Sequence, residues 1–412
     1  MNARDDKMPP FDVTASALYD TTERLAKEIA APDDLPPSWN DLSWAVAQAA
    51  AAIQGISALL SSRLKWTGPT SWESFLENQR RHSVLREKKI EALLEQIDDV
   101  LSDAKLGAIA LKGSSLKKLD LYNAGERPMS DIDLLVRPSQ LDRVELALGE
   151  LGYRPGFRIQ RHIEFVPPGR YDTHSFGEHE DNAIPIEVHT IVRETLPIKI
   201  VDITESIWPS RPRVGLDQYS SNASLMLHIL LHAAAGIRQR AVRQIQLHDI
   251  AVLARELDAD DWLWITSTLD HGESRWWLYP PLAVTNRYFP RSIPASVLAE
   301  TRRMCPVLLR TVSDRHEISN VSYSNPRIPA FPGLSWSATP IEALQFMSAR
   351  VFPTRFAINE LHDATGSNSR LLQLPWYGIS HSQRILRWVT GRAPRVQTML
   401  SVHEALESIS ET

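Results

Sequence analysis

Two short apolar runs, each with polar residues at one end, constrain this chain more than any other feature. Ala108-Ile-Ala-Leu111 closes on Lys112-Gly-Ser-Ser115, and Ser130-Asp-Ile-Asp133 opens onto Leu134-Leu-Val136. Apolar runs this short, bounded by turn residues, read as buried strands. Alternation along the second places the Asp131 and Asp133 carboxylates on one face and buries Ile132, Leu134 and Val136 on the other. Two close carboxylates repel as anions and are most easily tolerated around a divalent cation. Gly113 lets backbone approach a phosphate and Ser114 adds a hydroxyl, although Lys112-Gly113-Ser114 lacks the spacing of a Walker loop or a dinucleotide fingerprint. Mg²⁺ takes oxygen ligands and shares them with substrate phosphates, so the two runs together point to a metal-bound nucleoside triphosphate.

A third strand extends the pattern. In Ile184 to Ile191, Ile186 and Val188 point one way and Glu187 and His189 the other, which makes Glu187 a candidate third carboxylate. Helices are expected at Ser114 to Tyr122 and from Ser139, a candidate N-cap, to Leu151, with weaker strands around Arg158 to Pro167. Helical periodicity fills Thr14 to Val100 with breaks near Pro32 to Pro37 and Gly68-Pro69. It returns over Ser224 to Ala235, Val242 to Leu257, Asp260 to Leu269, Pro340 to Val351 and 381–390, while Ser322 to Thr339 reads as a long loop. The fold class is therefore α+β: a small mixed sheet flanked by helical regions. The expected divisions are a disordered terminus over 1–13, helices over 14–104, an α/β core over 105–214 and a helical domain over 215–412.

Bulk properties narrow the partners. A net charge of −5 disfavours a nucleic acid, whose phosphates need a basic surface. A single cysteine, Cys305, excludes an internal disulfide and a cysteine zinc cluster and suits a reducing cytoplasm. The polar first ten residues lack a signal-peptide core, and neither apolar segment (Trp44 to Leu60, Leu225 to Ile237) is a continuous membrane span.

The pattern Leu-Lys-Gly-x-x-Leu over Leu111 to Leu116, Arg-Pro-Met-Ser-Asp-Ile-Asp-Leu-Leu-Val over Arg127 to Val136, and Ile-Glu-Val-His over Ile186 to His189 resembles the bacterial nucleotidyltransferase-like family of the DNA polymerase β superfamily. The likeness runs from about Ala50 to Gly391. It implies transfer of a nucleoside monophosphate from a triphosphate, ATP by expectation, to a hydroxyl, with release of pyrophosphate. Asp131, Asp133 and Glu187 would hold Mg²⁺ or Mn²⁺; Gly113, Ser114, Lys112, Arg127 and Ser130 would bind the nucleotide. His189 and Asp249 are candidates for the acceptor side or for supporting contacts, although helix packing is the plainer role for Asp249. Strand alternation points Lys112 away from the phosphates, and Arg127 is free to pair with Glu126. His162 poses the same question as His189, and His228 and His232, spaced i, i+4, read as packed histidines rather than zinc ligands. Two other classes stay open: a nucleotide- or partner-binding protein without turnover, and a metal-dependent phosphohydrolase, for which His248-Asp249 is the one hint.

Overall fold

A computed structural model describes residues 9–158, 162–169, 174, 176–267, 275–352, 386–387, 389–391 and 393–410. Its centre is a six-stranded mixed sheet built from β1 (Gly107–Ala110), β2 (Ile132–Val136), β3 (Arg154–Arg158), β4 (His162–Val166), β5 (Ile186–His189) and β8 (Gly215–Asp217). The order is β3-β4-β5-β2-β1-β8. β2 runs parallel to β5 and β1 parallel to β8, while β1–β2, β4–β5 and β3–β4 pair antiparallel. A separate hairpin, β6 (Arg193–Leu196) and β7 (Lys199–Asp202), follows β5.

Side-chain alternation divides the core in two. On one face Ala108, Ala110, Ile132, Leu134, Val136, Ile186 and Val188 form a cluster with Ile90, Ile97 and Leu101 of α4 (Thr70–Asp103) and Val144, Ala147 and Leu148 of α6 (Leu141–Glu150). On the other face Ile109, Leu111 and Leu135 join a larger helical core. That core unites both ends of the chain: Leu18 and Leu25 of α1 (Phe11–Ala30), Ala47 and Ala50 of α2 (Asp41–Gln54), Leu227 and Leu230 of α8 (Asn222–Gln239), Leu247 and Ile250 of α9 (Gln244–Leu253), and Val402 of the helix Val396–Ser410. Beside Leu135, the same sheet face turns polar and opens as a cleft.

Local details depart from expectation where short-range chemistry misleads. The first helix begins at Phe11, three residues before Thr14. Ser139 caps nothing: Pro138–Gln140 forms a 3₁₀ turn, and α6 starts at Leu141 after Gln140, without a side-chain cap. α5 (Gly113–Lys118) stops four residues short of Tyr122. The helices at Pro340–Val351 and Asn222–Gln239 coincide with or contain those expected. Most of the helix expected at 381–390 lies outside the described residues.

No single described helix is long and apolar enough to cross a membrane. α2 and α3 (Ser57–Arg63) pass that test only as a pair bent by 111°, and both bury their apolar residues in the helical core.

Candidate active site

Strand register assembles the site. Asp133 on β2 pairs with Glu187 on β5, and Leu135 with His189; across β5, His162 and Glu164 on β4 oppose His189 and Glu187. Five polar side chains from three adjacent strands therefore share the face that the apolar residues leave open. Asp131 precedes β2 by one residue, on the same side as Asp133.

Asp133 is 7% exposed, and its Oδ1 accepts from Lys112 Nζ at 3.1 Å and contacts His189 Nε2 at 2.9 Å. Burial would raise its pKa, but Lys112 and His189 hold it well below the usual range. Asp131 goes the other way: burial and the neighbouring Asp133 charge push it up to about 7, against a smaller opposing pull from Lys112 and a hydrogen bond from Ser130. The carboxylates are thus crowded enough that one resists ionisation, as like charges in a partly dry site must. His189 is raised, because hydrogen bonds to Asp133 and Glu187 outweigh its burial.

Lys112 corrects the strand-alternation argument. β1 ends at Ala110, and Lys112 adopts φ 46°, ψ −114°, a conformation that strains a non-glycine residue. The turn aims its ammonium at the carboxylates instead of away from them. Its backbone N–H donates to Tyr219 Oη at 3.1 Å. Ser114, buried at the same turn, has an Oγ without a hydrogen-bond partner among the described residues. α5 has six residues, fewer than two turns, so it brings little dipole to a phosphate.

Arg127 does not pair with Glu126. Its Nε and Nη2 bind Asp249 Oδ1 and Oδ2 at 2.9 and 2.8 Å, and its guanidinium lies where a Cβ on Gly113 would come within 2.4 Å of Nη1. Glycine is required there by close approach rather than by φ. Tyr122 Oη donates to the same Asp249 at 2.6 Å, and His248 Nδ1 sits 2.9 Å from Tyr122. Asp249 therefore holds Arg127, and His248 packs against Tyr122 beside it.

A cavity of about 380 Å³ brings together Lys112, Gly113, Ser114, Arg127, Ser130, Asp131, Asp133, Glu187 and His189. Asp249 supports it from behind. His162, Arg193, His232, Arg243 and Gln246 also line it. His228, also on the wall, is held by Tyr219 Oη at 2.6 Å from its Nδ1, as a packed histidine should be. Sequence reasoning missed Arg86, which is 3% exposed on α4. Its guanidinium donates to the carbonyls of Ser130 at 3.1 Å, His179 at 3.2 Å and Asn182 at 2.7 Å, tying the approach to β2 to the approach to β5. The available signal was an arginine in the apolar stripe of α4, in line with Ser83 and Ile90.

Residues 40–290, more than half of the chain, match the family described as an uncharacterised nucleotidyltransferase. The chain belongs to this nucleotidyltransferase family. The match contains every element that lines the cavity, from β1 to α9, beginning before Ala50 and ending well before Gly391. No curated protein and no solved structure matches the chain. For this chain the α+β fold and the family expected from the three motifs both hold.

Proposed function

We propose that this protein transfers a nucleoside monophosphate from a Mg²⁺-bound (or Mn²⁺-bound) triphosphate, ATP by expectation, to a hydroxyl of an acceptor, releasing pyrophosphate. The observation that carries the reading is the convergence of Asp131, Asp133 and Glu187 on one cavity wall opposite the Lys112–Ser114 turn. The donor set fits the cation: three carboxylates face one space, one of them resisting ionisation, and a lysine ammonium already rests on another. Asp131 and Asp133 would hold the ion, with Glu187 as the third carboxylate. Bound there, it would supply positive charge to the phosphates and hold them in line for displacement.

The chain's own groups account for the rest, since phosphoryl transfer depends mainly on positioning and electrostatics. Gly113 lets the Arg127 guanidinium lie against the turn, and the Ser114 hydroxyl supplies an uncommitted donor. Arg127, fixed by Asp249, and Lys112, fixed by its backbone, present cations that need no reorganisation to meet developing charge. Ser130 orients Asp131. His189 sits 3.4 Å from Glu187 Oε2 and steadies that carboxylate toward an acceptor hydroxyl.

The test is thermal unfolding with each nucleoside triphosphate, with and without Mg²⁺, for the wild type and for Asp131→Ala/Asp133→Ala. Ligand at a hundred times its dissociation constant adds about 2.7 kcal/mol. A Mg²⁺-dependent shift that the double variant loses supports the reading and names the base. No shift with any triphosphate would end it. Binding without pyrophosphate release, across an acceptor screen, would favour the nucleotide-binding alternative.

A further inference from the structure

The polar face of the sheet carries more nitrogen than a Mg²⁺ site uses. Antiparallel pairing sets His162 of β4 opposite His189 of β5, with ring centroids 4.9 Å apart. Glu187, two residues before His189 and therefore on the same face, brings Oε2 to 3.4 Å from His189 Nε2 and 3.7 Å from His162 Nδ1. One donor atom from each of the three lies within 4.8 Å of the others, and all three residues line the cavity. A tetrahedral ion with nitrogen and oxygen ligands at about 2.0–2.2 Å needs donors roughly 3.3–3.6 Å apart. His162 and Glu187 are half-buried and His189 is buried, so side-chain rotation, chiefly of the first two, covers that difference without moving the backbone.

We propose that His162, Glu187 and His189 form a binding site for a divalent transition ion, which shares Glu187 with the Mg²⁺ carboxylates and takes its two nitrogen donors from outside the pair Asp131–Asp133. Mg²⁺ demands near-octahedral oxygen ligation, whereas imidazole suits ions such as Zn²⁺ and its first-row neighbours. Three protein ligands from two strands leave coordination positions open toward the cavity, where a substrate oxygen can enter. His189 Nε2 now contacts Asp133 Oδ1 at 2.9 Å; taking an ion exchanges that contact, and Lys112 Nζ, 3.1 Å from the same oxygen, still holds Asp133. The ion would lie on the acceptor side of the cavity. That role rests on the proposed transfer reaction, but its binding does not.

The experiment is a titration of the full-length protein with Co²⁺ in excess Mg²⁺, followed by visible absorption and by magnetic resonance of coupled nitrogen. One equivalent of Co²⁺ is expected to bind with nitrogen ligation. His162→Gln and His189→Gln should each weaken it by at least about tenfold, as even loss of a group that merely orients a ligand does; Asp131→Asn should weaken it less. Metal-free thermal unfolding checks each variant's fold, and His162→Gln decides if the more buried His189 variant does not fold. Oxygen-only ligation, no binding, or unchanged affinity in folded His162→Gln overturns the proposal. If the histidine-dependent signal persists while no triphosphate produces a Mg²⁺-dependent shift, the transfer reading falls and this site stands. The opposite pair of results removes this site alone.

Discussion

Asp249 holds Arg127 through both carboxylate oxygens, at 2.9 and 2.8 Å, joining α9 to the loop before β2. The side chains are 4% and 16% exposed. Breaking such a pair leaves a charge buried alone and costs about 3–5 kcal/mol, whereas replacing both partners by apolar groups can be neutral. Asp249→Ala should therefore lower stability by about that amount in urea unfolding. Asp249→Leu combined with Arg127→Met should recover much of the loss. Mg²⁺–triphosphate binding should stay lost in the double variant, because Arg127 lines the cavity. Its return along with stability would show that the arginine serves only the fold.

The acidic pair predicts an unusual pH response. Asp131 titrates near 7 in the folded chain and near 3.9 unfolded, so between these values the folded state binds more protons. The resulting stability is fully present below about pH 4 and is lost as pH rises through 7. Metal-free protein should accordingly lose melting temperature from pH 5 to pH 8, and Asp131→Asn should flatten the curve. His189, raised above its ordinary value, adds a loss at the upper end, so the wild-type-minus-variant difference is the quantity to read. Asp133, held low, acts only at more acid pH. A difference curve that is level across this range would show that the two carboxylates do not repel in solution.

How far the site could be read from the sequence follows from the range of the forces involved. Asp133, Glu187 and His189 were legible because alternation is a local rule and each residue lies inside a strand. The same rule failed at Lys112, where the backbone has left β1 and taken positive φ. The partner of Arg127 was hidden because 122 residues separate it from Asp249, and no local pattern carries that distance. β8 escaped notice at three residues, Gly215–Asp217: it is too short to show a period, yet it pairs with β1 and completes the sheet edge. Helices at the two ends of the chain looked like separate regions because each is amphipathic alone; their shared core appears only when Leu25 and Val402 meet one cluster.

Lys112 links strain to function, and the two can be separated. A non-glycine residue at φ 46°, ψ −114° carries about 1–3 kcal/mol of backbone strain, sustained when the surroundings over-determine it. Here the N–H bond to Tyr219 and the ammonium's contact with Asp133 both hold the turn. Lys112→Gly and Lys112→Ala remove the ammonium equally, but only glycine accepts the backbone without strain. The glycine variant should be the more stable of the two in urea unfolding, even though glycine normally costs about 0.5–1 kcal/mol relative to alanine. Both should lose Mg²⁺–triphosphate affinity to the same extent if the ammonium, not the turn, meets the phosphates. Equal stability would mean that the turn relaxes once the lysine is gone. Retained affinity in the glycine variant would shift the task of neutralising phosphate from Lys112 to Arg127.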